Sequence, residues 1–435
     1  MKTTSRTKPP KRETLLARLA VVGSGPGGIA AAVTAAEHLR AGERIVLIDE
    51  QPAPGGQIWR GPQKSDPVAQ RWIERLNHES IEPVQGQVIG ADSGHTLLLE
   101  TAKGTMRVAA ETIILATGAR ERFVPFPGWT LPGISGIGGL QAMMKSGWPV
   151  KGKRLVIAGS GPLMFPVAAT AMKFGAKVLE IAEQAAWWRL AYFALHLAAY
   201  PEKLFEGLRF FAKLWSIPQS HGTWIKRAGG TEKLEWVELT DGSRTRRIDC
   251  DLLAIGAHLV PNTELAALLG CRIDSAGRIA IDQELRTSEK KIFAVGECTG
   301  VGGADRALIQ GQLAALAALN LHELFAHHVG ALPRWERFSR LLDATFSPRE
   351  ELKRQIQGDT IVCRCEDIPH ESLCRHDSWR EAKLQTRCGM GPCQGRVCGP
   401  AAQTIYGWGV ESVRPPILPC KGGTLLELDK TEMNS

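Results

Sequence analysis

Six of the ten cysteines of this 435-residue chain fall within 36 residues, from Cys363 to Cys398. Cys363 and Cys365 form C-x-C, and Cys388 and Cys393 form C-x4-C after 22 intervening residues. Four thiolates gathered by two tight or glycine-rich segments can hold a 2Fe-2S cluster or a zinc ion, because both take a sulfur cage. Structural zinc sites more often space both cysteine pairs by two to four residues, so C-x-C favours iron over zinc and over unliganded thiols. Arg364, Arg387 and Arg396 would offset the negative charge of such a cluster, and Gly389, Gly391 and Gly395 would free backbone N–H groups to face sulfur. Cys374 and Cys398 have no assigned partner, with Cys398 as substitute ligand should Cys393 not serve.

The second set of chemically telling residues is glycine. Gly23, Gly25 and Gly28, with Pro26 and Gly27 between them, give G-x-G-x-x-G after the apolar run Leu19 to Val22 and before an alanine-rich stretch reaching Leu39. In a strand–turn–helix, the first glycine makes the turn, the second admits a pyrophosphate, and the third packs helix on strand. Ile45 to Ile48 then end in Asp49 and Glu50, where an acid binds ribose hydroxyls and repels a 2′-phosphate, so FAD or NAD fits better than NADP. The loop Gln51 to Ile58, with Gly56 and Gln57, is placed to lie over a flavin. Thr117 and Gly118 close a later strand, and Lys291 to Cys298 end another strand in Gly296 and Glu297. Together these signals favour FAD over NAD in the first unit.

A second glycine turn repeats the theme with Gly159, Gly161 and the acid Glu183, but Met164 stands at the third glycine position. A thioether there crowds the contact that glycine allows, so the fold of this unit is better supported than its ligand, NAD or another adenine nucleotide. No nucleophile–base pair, His-rich metal site or redox C-x-x-C accompanies these turns. No catalytic side chain is therefore assigned, and the chemistry must come from cofactors.

The elements that position these residues are those of an α/β protein. Two dinucleotide-binding Rossmann-like domains are expected, the second inserted in the first, followed by a small α-rich 2Fe-2S domain. The boundaries are a basic tail at 1–15, a first domain at 16–128 with 281–330, a second at 129–280, and the cysteine domain at 331–435. A composition 44% hydrophobic and 23% charged excludes a disordered chain, and 46 glycines without a three-residue period exclude collagen. The basic start leads into no apolar leader, no run suits a membrane span, and cysteine usage fits a reducing compartment, so a cytoplasmic protein is expected. The excess of eight positive charges sits largely in the tail without a nucleic-acid motif. Residues 187–215 hold nine of the 27 aromatics, read first as a core helix pair, next as a face for another subunit, and last as a membrane-surface helix.

Taken together, GSGPGGIAAA, LIDEQPAPGGQI, ATGARER, the second GSGP, FAVGECTG, CRCED and TRCGMGPCQGRVC resemble the A or α subunit of opine dehydrogenases (opine oxidases). The pattern is similar to hydrogen cyanide synthase B subunits and D-hydroxyproline dehydrogenase α subunits. The resemblance implies FAD and a BFD-like 2Fe-2S domain. It leaves open FMN at a subunit interface and NAD or ATP in a nucleotide site. It implies an oxidoreductase acting on CH–NH donors, in which a separate FAD-containing, oxidase-like β subunit dehydrogenates a small amine or amino acid and a ferredoxin-like γ subunit joins the complex. Two rival readings are a self-sufficient NAD(P)H:acceptor reductase and a non-enzymatic nucleotide-binding subunit.

Overall fold

In the computed structural model, residues 14–60, 66–92, 96–409 and 413–426 are described. The basic residues of the tail before Thr14 lie outside them. The first unit is a seven-stranded sheet whose parallel part runs Ile81–Gln85, Ile45–Asp49, Thr14–Val22 and Gly104–Leu115. The last of these strands is twelve residues long and, beyond Thr14–Val22, serves two more neighbours on its other edge. Its first half pairs antiparallel with Thr96–Thr101, which continues to Gln87–Ala91, while its end pairs parallel with Ile292–Ala294. That late strand belongs to the same sheet as the first, so an intervening stretch must fold elsewhere and return.

It does so as a five-stranded, all-parallel sheet in the order Gln219–His221, Lys177–Glu183, Arg154–Ser160, Leu252–Ala257, Ile134–Gly136. An antiparallel meander, Trp224–Gly229, Trp236–Thr240 and Thr245–Asp249, flanks it. Outgoing and returning chains meet as a two-stranded ribbon, Ala119–Glu121 against Leu259–Pro261. Continuous apolar runs in these parallel strands reflect burial on both faces. The helix Pro26–Ala36 is buried from Gly27 to Ala36 because it lies between the sheet and the helix Gly303–Ala318. Small residues allow that approach: a Cβ on Gly311 would sit 2.1 Å from the Gly27 carbonyl oxygen.

After the helix Leu332–Phe346 the chain forms a small, mostly helical unit with the ribbon Ile361–Cys363/Ile368–Pro369 and the helices Trp379–Thr386 and Cys398–Tyr406. Its core gathers Val362, Leu373, Trp379, Ala401 and Trp408 around Cys363, Cys388 and Cys398. The aromatic stretch forms the helices Trp187–His196 and Pro201–Leu214, and of the residues in these two helices only Leu214 is buried. The expected core helix pair is thus a surface hairpin: one edge packs inward through Phe193 and Tyr200 onto Phe338 and Phe346, and the rest faces outward. No helix among the described residues is long and apolar enough to cross a membrane.

Candidate cofactor sites

The first glycine turn separates its glycines by task. Gly23 has φ +104°, and a Cβ there would lie 2.2 Å from the Ala116 carbonyl oxygen. A Cβ on Gly28 would lie 1.8 Å from the Gly23 carbonyl oxygen, so this glycine lets helix meet strand. Gly27 likewise faces Val295 and Ala307 across the helix–helix contact, and Pro26 occupies the first helical turn. Gly25 differs: its φ is −73° and nothing lies within 4 Å of where its Cβ would be. Open space beside the helix N-terminus is the room a pyrophosphate needs. Asp49 secures the turn, accepting from the Ser24 N–H at 2.6 Å and the Ser24 hydroxyl at 2.7 Å. The following loop folds over it: the Gly55 N–H donates to the Ser24 carbonyl, and a Cβ on Gly56 would lie 2.9 Å from the Gly25 Cα. Glu50 and Gln57 are exposed at its edge.

Across this crevice the Thr117 hydroxyl donates to the Asn262 carbonyl at 2.6 Å, and the Asn262 side chain donates to the Thr117 carbonyl at 2.8 Å, which leaves Gly118 facing open space. Glu297 receives the Gly303 N–H on Oε1 at 2.7 Å, while its Oε2 is buried and unpartnered. Burial pushes this carboxyl above the usual range against the pull of the Gly303 and Gly302 N–H groups and of Arg306 and His258. Gly296 is held by its N–H to the Gln310 Oε1 at 2.7 Å, and Arg306 donates to the Gly300 carbonyl at 2.9 Å. Sequence patterns assigned no role to Arg306, Gln310 and Asn262, because each stands outside the motif whose backbone it clasps. An orphaned acceptor and an open cradle at Gly25 fit a flavin dinucleotide with hydroxyls to donate.

The second crevice is built alike and closed. Glu183 accepts from the Ser160 hydroxyl and the Gly161 N–H, both at 2.8 Å, repeating Asp49, and burial raises its pKa. Met164, fully buried, forces a difference. The helix begins there, after Leu163, with no side-chain cap and two residues later than the first helix relative to its glycine turn. The chain's own later segment then covers the site. Phe346 faces Gly161, Arg349 donates to the Gln184 carbonyl at 3.2 Å and lies over the Trp224 ring, and Leu352 packs on Val124, Trp224 and Ala257. What remains beside Gly159 is a cavity of about 40 Å³ lined by Gln184, Leu352 and Gln355. At about 10–15 Å³ of such space per water, that is room for a few waters. A third glycine turn, Gly136 to Gly139, is closed internally by Glu121, which accepts the N–H groups of Gly138 and Gly139.

The cysteine unit brings five sulfurs together. Cys363, Cys388 and Cys398 are buried with their Sγ atoms within 4.8 Å of one another, and Cys393 contacts both Cys398 and Cys365. Cys398, to which spacing assigned no partner, touches Cys363, Cys388 and Cys393. Its signal was present, since Cys393 and Cys398 form a second C-x4-C overlapping the first. Cys374 is exposed and stands apart. Thiol donation from Cys388 and Cys398 draws Cys363 far below the ordinary thiol range, and a hydrogen bond from Cys398 pulls Cys393 down to about 5. Cys388 and Cys398 are correspondingly pushed up by those same sulfurs. Among the glycines, the N–H of Gly389 reaches Cys363 and that of Gly395 reaches Cys393, while Gly391 gives way to the Cys365 Cβ. Such a buried thiol group is compatible with an iron–sulfur centre. Two arginines work elsewhere: Arg387 pairs with Glu366 at 3.0 Å and Arg364 donates to the Thr130 carbonyl. The unit docks on the crossover between sheets, where Arg120 donates to the Arg396 carbonyl at 3.1 Å and also pairs with Glu264. Sulfurs and the Thr117–Gly118 turn therefore lie on two sides of one arginine.

Residues 17–317 match the model of the family described as pyridine nucleotide-disulphide oxidoreductase. The hydrogen cyanide synthase subunit HcnB of Pseudomonas protegens is 32% identical over 422 residues, covering 87% of this chain and 89% of that protein. The opine oxidase A subunit of Rhizobium meliloti is 31% identical over 467 residues, covering 94% and 98%. The crystal structure of L-proline dehydrogenase from P. horikoshii superposes with a TM-score of 0.69 at 19% identity, covering 96% of this chain and 81% of the other, a likeness of fold. With two glycine turns on interleaved sheets and a cysteine unit behind them, the chain belongs to the pyridine nucleotide-disulphide oxidoreductase family, whose membership implies an FAD flavoprotein oxidoreductase.

Proposed function

We propose that this chain is the electron-transferring subunit of a heteromeric, cytoplasmic dehydrogenase that oxidises the C–N bond of an opine, D-hydroxyproline or similar secondary amine or amino acid. Substrate oxidation takes place on a separate FAD-bearing, oxidase-like subunit, and electrons pass through this chain. The observation that carries the proposal is the docking of the cysteine unit, through Arg120 and Arg396, against the turn that borders the first crevice. The hydrogen cyanide synthase and opine oxidase proteins named above are themselves called subunits.

FAD held in the first unit would supply two-electron acceptance and a 2Fe-2S centre held by the cysteines one-electron transfer, the chemistry a relay of this kind requires. The residues of the chain bind and orient. The Gly23–Gly28 turn and helix N-terminus would hold the pyrophosphate, Asp49 and Glu50 the ribose, and the loop at Gly56 and Gln57 would lie over the flavin. Thr117, Gly118, Gly296 and Glu297 border the far side, where the free Glu297 oxygen would accept a hydroxyl of the bound flavin. Cys363 and Cys365, with two of Cys388, Cys393 and Cys398, hold the cluster. The filled second crevice, with Gly159, Gly161 and Glu183 engaged internally, argues against nicotinamide entry, since a dinucleotide needs on the order of 300 Å³ or more.

The test is co-expression with the oxidase-like partner and an assay of amine-dependent dye reduction. Activity should require both chains, with flavin and iron in this one. Full activity from this chain alone, or rapid bleaching of its flavin by NADH, would overturn the division of labour; a purified chain without flavin or iron would favour the non-enzymatic reading.

A further inference from the structure

The hairpin Trp187–His196/Pro201–Leu214 presents two apolar stripes to solvent. Trp188, Tyr192 and Leu195 follow one another at spacings of four and three, and Phe205, Leu208, Phe211 and Trp215 at three, three and four, so each set shares one helix face. Their exposures run from 52% to 77%. With Trp187 they expose on the order of 1,000 Å². The largest apolar patch of a typical monomer is about 300–600 Å², and one side of a standard stable interface is about 800 Å². The patch is therefore the size of an interface.

Charge and position say what covers it. Arg209 and Lys213 make no ion pair among the described residues, and Arg189 lies over the Trp188 ring. A second copy would bring the same cationic rim, and the carboxylates of this face, Glu202 and Glu206, are already paired with Arg334 and Lys203. A partner with an apolar patch and an acidic rim would pair the cations. Lys203 of the hairpin binds Asp305 at 2.8 Å, in the first turn of the helix whose Gly303 N–H holds Glu297. Whatever docks here stands beside the first crevice.

We propose that this hairpin is the docking surface for the substrate-oxidising subunit, which meets it with an apolar patch rimmed by carboxylates. The proposal rests on the heteromeric function above, and the stripe residues Trp188 and Phe211 act as anchors. Aromatic residues with arginine at the rim are the composition of interface cores.

The test co-expresses the two full chains and replaces the exposed anchors, Trp188→Glu with Phe211→Glu, measuring complex formation by sedimentation along with flavin and iron content. The expected result is affinity weakened by about 30-fold or more with flavin and iron retained, and partial recovery in Trp188→Phe with Phe211→Leu. Salt should slow association of the wild type. An unchanged complex in the double variant overturns the docking surface and leaves the heteromeric function standing. Absence of any complex with the wild type overturns both. Self-association of the wild type abolished by the variant assigns the face to a second copy, and variant-sensitive binding to vesicles of phosphatidylcholine and phosphatidylserine assigns it to a membrane; either result refutes the proposal.

Discussion

Gly25 and Gly28 stand three residues apart in one turn, and the structure predicts opposite consequences when each becomes alanine. At Gly28 the new methyl would lie 1.8 Å from the Gly23 carbonyl oxygen and 3.2 Å from the Ala116 Cβ. Both neighbours follow directly on strand ends and are held there by backbone hydrogen bonds, Gly23 to Ile48 and Ala116 to Val22, so no rotamer change relieves the overlap and the helix must lift from the strand. Overpacking of this kind costs up to about 3 kcal/mol. Alanine returns about 1 kcal/mol in helix propensity. The net of about 2 kcal/mol corresponds to a lowering of Tm by about 4–8 °C. At Gly25 the backbone is extended, φ −73°, and nothing lies within 4 Å. Flavin-free Gly25→Ala should therefore melt within about 0.5 kcal/mol of wild type. The methyl points into the space reserved for a pyrophosphate, so FAD affinity should fall by at least about tenfold. Scanning calorimetry of the flavin-free proteins and flavin fluorescence titration measure the two quantities. The reasoning fails if flavin-free Gly25→Ala is destabilised as much as Gly28→Ala, or if it binds FAD as tightly as wild type.

Cys398→Ser should lower iron and acid-labile sulfide by at least about half, because Cys398 touches three other sulfurs, while Cys374→Ser should leave both unchanged; elemental and sulfide analysis decides, and full retention in Cys398→Ser would return it to a bystander. Glu297→Gln should alter the pH dependence of the flavin-free protein. Since burial raises the folded pKa of Glu297, wild type carries an ionisation penalty that grows as pH rises above the ordinary value of 4.5, and melting curves of the glutamine variant should lack that decline. Glu351 has the opposite sign: Arg349 holds its carboxyl down at about 2, so its contribution to the strap over the second crevice is present above 4.5 and is lost as pH falls toward 2. Trp224 fluorescence should report loosening in that window, and Glu351→Gln should flatten the acid limb.

Much of the fold was written locally. Parallel strands announced themselves as unbroken apolar runs, and the glycine turns as G-x-G followed by small residues, because a close helix–strand contact restricts residue type at the contact itself. The crossing of Gly311 on Gly27 shows the same rule acting between two helices, where no motif marks it. The surface hairpin was not legible. Its aromatics have the composition of a core, and only the position of the Leu332–Phe346 helix decides which edge is covered.

The sequence by itself determined which residues could hold phosphate and sulfur, since those tasks depend on side-chain type and short spacing. Tertiary structure alone decided which of those places remain open. A segment nearly two hundred residues downstream fills the second crevice and leaves Gly25 facing space in the first. Folding likewise brings Cys398 among the other sulfurs, because burial and contact arise from chain segments that meet only then.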